Sequence, residues 1–92
     1  MIEISTTVTF DKLFIELPKS TQLKAVKRTE LFKTNPFHPS LHTEKLHPKG
    51  HQVWSFRVDI SYRIIFKFIA QGRAELRFIG HHNQIYNYDI FK

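Results

Sequence analysis

The clearest alternation of apolar and polar positions occupies three runs in the second half of the chain, at residues 54–58, 62–69 and 74–78. In the first and third runs apolar residues alternate with polar ones, which is the period of a strand with one face in a core. The middle run is apolar on one face and largely apolar on the other, as in a central strand. These runs predict a three-stranded antiparallel meander that carries arginines on its wetter positions.

The first half of the chain begins with a strand pattern and then changes to helical spacing. Residues 2–10 alternate and predict an amino-terminal strand, whereas residues 10–17 place apolar side chains at the intervals of a helix face. Thr9 or Asp11 is able to cap the start of this helix. A second helix follows the proline at position 18 and ends before the proline at position 36. Two helices joined at a proline predict an αα-hairpin that packs on one face of the sheet.

Residues 36–51 predict a long loop, because they contain three prolines, one glycine and four of the six histidines. No internal repeat or linker divides the chain. The predicted fold class is therefore α+β: one small domain over residues 1–92, with an antiparallel sheet that has an amino-terminal strand, an αα-hairpin on one face and a carboxy-terminal three-stranded meander.

Composition limits the chemistry that this domain can perform. The chain has 92 residues, 41% of them apolar, and no cysteine, so it offers no disulfide, no thiolate nucleophile and no cysteine-based zinc site. Pro48 and Gly50 separate His47 from His51, so these two histidines are not expected to share a helix face, and neither a metal nor a small-molecule cofactor is predicted. A formal charge of +6 favours a polyanionic partner.

The chain shows no secretion signal or membrane span, so we expect a cytoplasmic protein without a membrane partner.

Several short motifs, in this order, resemble one known family. They are "NPF" after the second helix, "KLH" in the loop, then "WSFRV", "YRIIF" and the terminal "IGHHNQIY". Together with the order strand, two helices, loop and meander, they resemble the RelE/ParE superfamily of bacterial type II toxins. This resemblance implies a small basic toxin that is neutralised by an acidic antitoxin. Most members cleave mRNA on the ribosome by attack of the substrate's own 2′-hydroxyl, while others poison DNA gyrase without nuclease chemistry.

The resemblance assigns candidate roles to two arginines. Arg63 in "YRIIF" matches the arginine that cleaving relatives place at the phosphate, where a guanidinium can hold two oxygens at once. Arg57 in "WSFRV" matches another basic strand position and is expected to contact RNA. The structural alternatives are that Arg63 is an ion-pair partner and that Arg57 is a solvated arginine paired with Asp59.

Proton transfer and base stacking are assigned to residues around the loop and the terminal motif. His82 is the candidate general acid, because histidine exchanges protons near neutral pH. His81 is the alternative to His82 and is expected to contact RNA, and it should point the other way if the segment is extended. Tyr86 matches an aromatic residue that stacks on or orients the substrate, with a core or edge aromatic as the alternative. Glu44 matches the carboxylate base of one branch of cleavers, and an ordinary surface glutamate is its alternative.

Other cations extend the predicted RNA-binding set. Lys45 and Lys49 would have to supply any lysine cluster in the loop, and Arg77 adds a cation on the meander. Val58 and Ile60 occupy places where one branch of cleavers needs polar groups, so the chain does not match any one subtype. The leading hypothesis is thus a ribosome-dependent endoribonuclease toxin with ribosome, mRNA and antitoxin as partners. The alternative is a ParE-like gyrase inhibitor, or a degenerate toxin that only binds its antitoxin.

Overall fold

The computed structural model describes residues 1–46 and 52–85. In chain order it contains β1 (Glu3–Thr6), α1 (Val8–Ile15), α2 (Lys19–Thr34), a 3₁₀ turn (Pro39–Leu41), β2 (Glu44–Lys45), β3 (Trp54–Arg57), β4 (Tyr62–Ala70) and β5 (Arg73–His81). The strands form one sheet in the order β1-β5-β4-β3-β2. The predicted α+β class is confirmed, and β4 is the central strand, as its two apolar faces predicted.

The direction of the strands differs from the prediction in one respect. Strands β2 to β5 pair antiparallel with their neighbours, but β1 pairs parallel with β5, so the sheet is mixed. Tight connections force β3, β4 and β5 to be antiparallel, whereas the chain between β1 and β5 is long enough for either direction. The alternation along β1 shows that one face of the strand is buried. It does not show which strand β1 pairs with, or whether the pairing is parallel or antiparallel.

Helix α1 begins earlier than its apolar spacing predicted, because Thr7 caps it. The Thr7 hydroxyl oxygen accepts a hydrogen bond from the Phe10 backbone N–H at 3.1 Å, so the helix starts at Val8. At the other end, the Gln22 side-chain amide donates to the Leu17 carbonyl at 2.9 Å. This bond fixes the turn between the two helices of the predicted αα-hairpin.

The main core lies between the helices and the sheet and is centred on Phe32 of α2. The Phe32 ring is fully buried, 4.7 Å from the Phe56 ring and 4.8 Å from the Phe66 ring, measured between centroids. A smaller apolar cluster covers part of the opposite face of the sheet; its buried members are Leu46, Val53, Ile65 and Ile85. Since this cluster covers only part of that face, polar side chains at the end of β3 and the start of β4 stay accessible there. Neither helix in the described ranges has the length and apolar character of a membrane-spanning segment.

Candidate active site

Two arginines lie directly opposite each other where β3 and β4 pair. Arg57 and Arg63 are cross-strand partners, and Gly80 of β5 is the partner of Arg63 on its other side. Partners in an antiparallel pair project from the same face, with Cβ atoms about 4.5–5.5 Å apart. Gly80 has no side chain, so the space beside Arg63 on that face is not filled by its partner on β5. The buried side chain of Ile85 packs beside Gly80, since a Cβ added to this glycine would lie 3.9 Å from it.

The two arginines have no carboxylate partner in the part of the chain that the structure describes. Within residues 1–46 and 52–85, neither Arg57 nor Arg63 takes part in an ion pair. The described contacts thus include neither an ion pair of Arg63 nor a pair of Arg57 with Asp59, whose carboxylate lies 3.4 Å from Lys24. Without such a partner the two arginines repel each other, and like charges placed directly opposite each other destabilise a sheet.

The connection between β3 and β4, residues 58–61, holds Arg63 in place. One guanidinium nitrogen of Arg63, Nη1, donates to the carbonyl oxygens of Asp59 and Ile60 at 3.3 and 3.2 Å. The other guanidinium nitrogens have no hydrogen bond within the described residues. The loop thus orients the side chain while donors remain for an anion.

The loop itself is organised by the carboxylate of Asp59. One carboxylate oxygen accepts hydrogen bonds from the backbone N–H groups of Ser61 and Tyr62, both at 2.8 Å, and the other lies 3.4 Å from Lys24 Nζ. Burial raises the pKa of Asp59, but the two backbone hydrogen bonds and Lys24 outweigh it, so the pKa lies below its usual value. Asp59 is therefore a loop-forming residue whose charge is already satisfied.

His82 is anchored on the same loop as Arg63. Its backbone N–H donates to the Ser61 carbonyl at 2.7 Å, and its ring nitrogen Nδ1 lies 3.2 Å from the same oxygen. A carbonyl oxygen only accepts, so Nδ1 carries a proton in this arrangement and Nε2 is the nitrogen left for other partners. One short loop thus contacts both residues, and the His82 ring itself stacks on the ring of His81, which lies on the helix-bearing face.

His81 lies on the helix-bearing face and not beside the arginines. It is the cross-strand partner of Tyr62, and its ring meets the tyrosine edge-on with 5.6 Å between centroids. The expectation that His81 and His82 point to opposite sides is wrong, because their rings stack with 4.7 Å between centroids. The strand ends at His81, and the chain turns at once, as shown by the Asn83 N–H that donates to His81 Nδ1.

The two loop residues Glu44 and Lys45 fall on opposite faces because they form the short strand β2. Glu44 pairs with Ser55, which places it on the face of Arg57, two residues farther along β3 and about 7 Å away along the strand. Lys45 pairs with Trp54 on the helix-bearing face, where its Nζ lies 5.9 Å from the centre of the indole ring. The structure brings Glu44 to the arginine face and takes Lys45 away from it.

The remaining predicted residues have other positions. Arg77 sits in a β-bulge, since Phe78 pairs with Ile65 while Leu76 pairs with the next residue of β4, and its guanidinium lies 3.9 Å from Glu75. Lys49 and Tyr86 lie outside the described residues, as do His47 and His51. In the part of the chain that the structure describes, no three His, Asp or Glu side chains are grouped as metal ligands would be.

The sequence reasoning missed two contributors to this site. The sequence offers Asp59 only as a possible partner of Arg57, although an aspartate side chain often closes a turn by accepting a hydrogen bond from the backbone N–H two residues on. In the sequence Gly80 only marks the position of His82, whereas in the sheet it is the partner of Arg63 on β5. Its φ is not in the left-handed region and an added Cβ would meet Ile85 at an ordinary 3.9 Å, so neither the backbone nor the space requires glycine there.

Comparison with known proteins identifies the fold. No protein-family model matches the chain, and neither does any curated protein sequence. Among solved structures, the chain is similar to the RelB-RelE antitoxin-toxin complex from Methanococcus jannaschii, with a TM-score of 0.73 at 20% identity over 92% of this chain and 98% of that one. It is also similar to the archaeal RelE-RelB complex from Pyrococcus horikoshii, with a TM-score of 0.73 at 14% identity over 90% and 97% of the two chains.

A further match is the YoeB/ParE toxin from Agrobacterium tumefaciens, with a TM-score of 0.72 at 16% identity over 88% of this chain and 99% of that one. The near-complete coverage of both chains means that the whole domain is shared and not one motif. The resemblance seen in the sequence is therefore confirmed at the level of the fold, which is that of RelE, YoeB and ParE toxins.

Proposed function

We propose that this protein is the toxin of a type II toxin–antitoxin system and that it cleaves mRNA on the ribosome. The observation that carries the proposal is the pair Arg57 and Arg63, which lie directly opposite each other on the accessible face of the sheet and have no ion-pair partner among the described residues. Two guanidiniums held together without a carboxylate are unfavourable in the free protein and favourable once a phosphate binds between them. The fold shared with RelE-type toxins supports the same interpretation.

In the proposed reaction the 2′-hydroxyl of the substrate attacks the adjacent phosphorus, and the bond to the 5′-oxygen of the next nucleotide breaks. The products are a 2′,3′-cyclic phosphate and a free 5′-hydroxyl. Negative charge grows on the non-bridging oxygens in the transition state, and Arg63 and Arg57 stabilise it by charge-assisted hydrogen bonds. Because Arg63 is already oriented by the loop carbonyls, little ordering remains to be done when RNA binds.

His82 is the proposed general acid for the leaving 5′-oxygen. Its Nδ1 faces the Ser61 carbonyl, so a protonated ring can donate its second proton only from Nε2. The same contact fixes the orientation of the ring. His82 then returns to the neutral state with its proton still on Nδ1.

Glu44 is the proposed general base that takes the proton from the 2′-hydroxyl. It lies on the arginine face and is exposed, so a substrate bound at the arginines can reach it. A carboxylate oxygen in reach of the 2′-hydroxyl can accept its proton in the transition state. Tyr86 and Lys49, which lie outside the described residues, remain proposed contacts to the substrate, and Arg77 and Lys45 are proposed contacts to more distant parts of the RNA.

Two kinds of partner follow from this proposal. The ribosome and mRNA are polyanions that a protein of charge +6 attracts, and they place the activity in the cytoplasm. An acidic antitoxin would neutralise the toxin between rounds of activity. The solved structures with the same fold include complexes of RelE with RelB and of YoeB with YefM, which supports such a partner.

The test compares wild type, His82→Ala and His81→Ala, each expressed under tight control in bacteria. The 5′ ends of cellular mRNA are mapped minutes after induction. We expect new ends within codons for wild type and for His81→Ala, and none above background for His82→Ala. His81→Ala is the matched control, because it removes the neighbouring ring and half of the stacked pair without touching the contact to Ser61.

Three other outcomes would change the proposal. Loss of cleavage in His81→Ala with cleavage retained in His82→Ala would exchange the roles of the two histidines. Growth arrest with DNA-damage signalling and no new mRNA ends, in wild type and both variants, would replace the nuclease with a gyrase inhibitor. Absence of any arrest in wild type would indicate a degenerate toxin that only binds its antitoxin.

A further inference from the structure

A small surface cavity lies at the edge of the sheet where β3 extends past the short strand β2. It has a volume of about 240 Å³, and its lining includes Arg28 of α2, Ser40 of the 3₁₀ turn, His42 just after that turn and Arg57 of β3. Three of these residues had no assigned role in the proposed reaction. The fold thus gathers hydrogen-bond donors from distant parts of the chain beside one member of the arginine pair.

Arg28 is oriented towards this cavity by a neutral partner. Its Nη1 donates to the Ser40 hydroxyl oxygen at 3.0 Å, and that hydroxyl lies 2.9 Å from Nδ1 of His38. The Ser40 backbone N–H also donates to this Nδ1, at 3.1 Å, so the His38 nitrogen is an acceptor and the hydroxyl hydrogen points to it. Arg28 is held in place without losing its net charge to a carboxylate.

His42 enters the cavity from an unusual backbone conformation. Its φ angle is +47°, in the left-handed region that few residues other than glycine adopt. Its backbone N–H closes the 3₁₀ turn by donating to the Pro39 carbonyl at 3.2 Å. Such positions persist only where the surrounding structure imposes them, and they are concentrated at ligand sites.

The charge and size of the cavity select the class of ligand. Among the described residues no carboxylate forms an ion pair with Arg28 or Arg57. The one acid in the lining, Asp59, already binds Lys24 and two backbone N–H groups. The volume of about 240 Å³ is below the range of about 300–1,000 Å³ typical of small-molecule pockets. An anionic group such as a phosphate therefore fits better than a nucleoside.

We infer that this cavity binds a backbone phosphate of single-stranded RNA, next along the strand from the phosphate held by Arg57 and Arg63. The inference rests on the proposed function, because it extends the same substrate past the cleavage site. Arg57 belongs to both places, since it lines the cavity and is the cross-strand partner of Arg63. Arg28 is then a positioning residue that fixes where the strand lies, and its contribution is to binding and not to proton transfer.

The test measures binding of a fluorescein-labelled single-stranded oligoribonucleotide, 2′-O-methylated so that it cannot be cleaved, by fluorescence anisotropy at several salt concentrations. Arg28→Gln is compared with wild type, Arg28→Lys and Arg73→Gln. Arg73 is the matched control, because it is an exposed arginine whose side chain pairs with Glu3 away from the cavity. Thermal unfolding of each variant establishes that it is folded.

Loss of one phosphate contact reduces the steepness of the plot of log association constant against log salt concentration by about 0.7 for single strands. If variant and wild type bind equally at 1 M salt, the variant then binds about fivefold more weakly at 0.1 M salt. We expect this change for Arg28→Gln, a wild-type slope for Arg28→Lys and no change for Arg73→Gln. An unchanged slope in Arg28→Gln would overturn the inference, and so would an equal loss in Arg73→Gln, which would indicate a general effect of net charge.

The outcome is independent of whether the protein cleaves mRNA. A reduced slope in Arg28→Gln, together with no new mRNA ends in cells expressing wild type, would support the phosphate cavity while removing the proposed nuclease. New mRNA ends in cells, together with an unchanged slope, would remove the cavity alone.

Discussion

Arg57 and Arg63 face each other across the β3–β4 pair, and no carboxylate in the described residues neutralises either of them. Direct opposition of like charges lowers the stability of an antiparallel pair. The arrangement thus favours the binding of an anion and lowers the stability of the protein without a ligand. Stability and activity should therefore respond in opposite directions when this pair is changed.

Replacing Arg57 by glutamine should remove the proposed activity without destabilising the free protein. We expect Arg57→Gln to leave the free energy of unfolding unchanged or to raise it by up to about 1 kcal/mol, because the like-charge contact is gone. Urea denaturation measures this change, and mapping of mRNA ends measures the activity, which should be lost. Arg73→Gln is the control, since it removes a charge from an attractive pair with Glu3. A clear loss of stability in Arg57→Gln would show that Arg57 is a structural residue.

The sequence pattern predicts that Arg57 and Arg63 face each other, but it does not predict the positions of the histidines or of Glu44. A hairpin whose connection is centred on residue 60 brings positions 57 and 63 opposite each other, and the alternation on both sides fixes that register. Alternation cannot extend past the end of a strand, so the turn after His81 and the stacking of its ring on His82 were not predictable from period-2 spacing. Glu44 lies in a strand of only two residues, too short to leave a pattern in the sequence.

The start of α1 also could not be located from the spacing of apolar residues alone. Apolar spacing predicted a helix from position 10 with Thr9 or Asp11 as its cap, whereas Thr7 caps a helix that starts at Val8. We expect Thr7→Ala to lower the free energy of unfolding by about 1 kcal/mol, because the Phe10 N–H loses its acceptor. Thr9→Ala lies inside the helix and should change stability little. Equal effects of the two substitutions in thermal denaturation would contradict the assignment of the cap.

Burial of Phe32 should account for much of the stability of the domain. Phe32→Ala removes a ring that is 0% exposed and that contacts the rings of Phe56 and Phe66, so we expect a loss of about 3–5 kcal/mol in the free energy of unfolding. Phe37 is the matched control, because its ring is 56% exposed. Urea denaturation should therefore show a much smaller loss for Phe37→Ala. Comparable losses would mean that the main core is not centred on α2.

Asp59 should link the stability of the loop between β3 and β4 to acid pH. Its pKa is lowered in the folded protein, because the backbone N–H groups of Ser61 and Tyr62 and the ammonium of Lys24 outweigh the effect of burial. A lowered folded pKa means that the stabilisation is fully present above the unfolded pKa of about 3.9 and is lost as the pH falls through the folded pKa. We therefore expect Asp59→Asn to be less stable than wild type at neutral pH.

The difference between Asp59→Asn and wild type should disappear as the pH falls through the folded pKa of Asp59, because the protonated carboxyl and the amide are then both uncharged. Denaturation with urea at a series of pH values measures this convergence. Lys24→Gln tests the cause, since its own loss of stability should vanish over the same pH range if Lys24 acts through Asp59. A constant difference at every pH would show that asparagine perturbs the geometry of the loop and that the charge of Asp59 contributes nothing. In that case the hydrogen bonds of Ser61 and Tyr62, and not the charge, would hold the loop that positions Arg63 and His82.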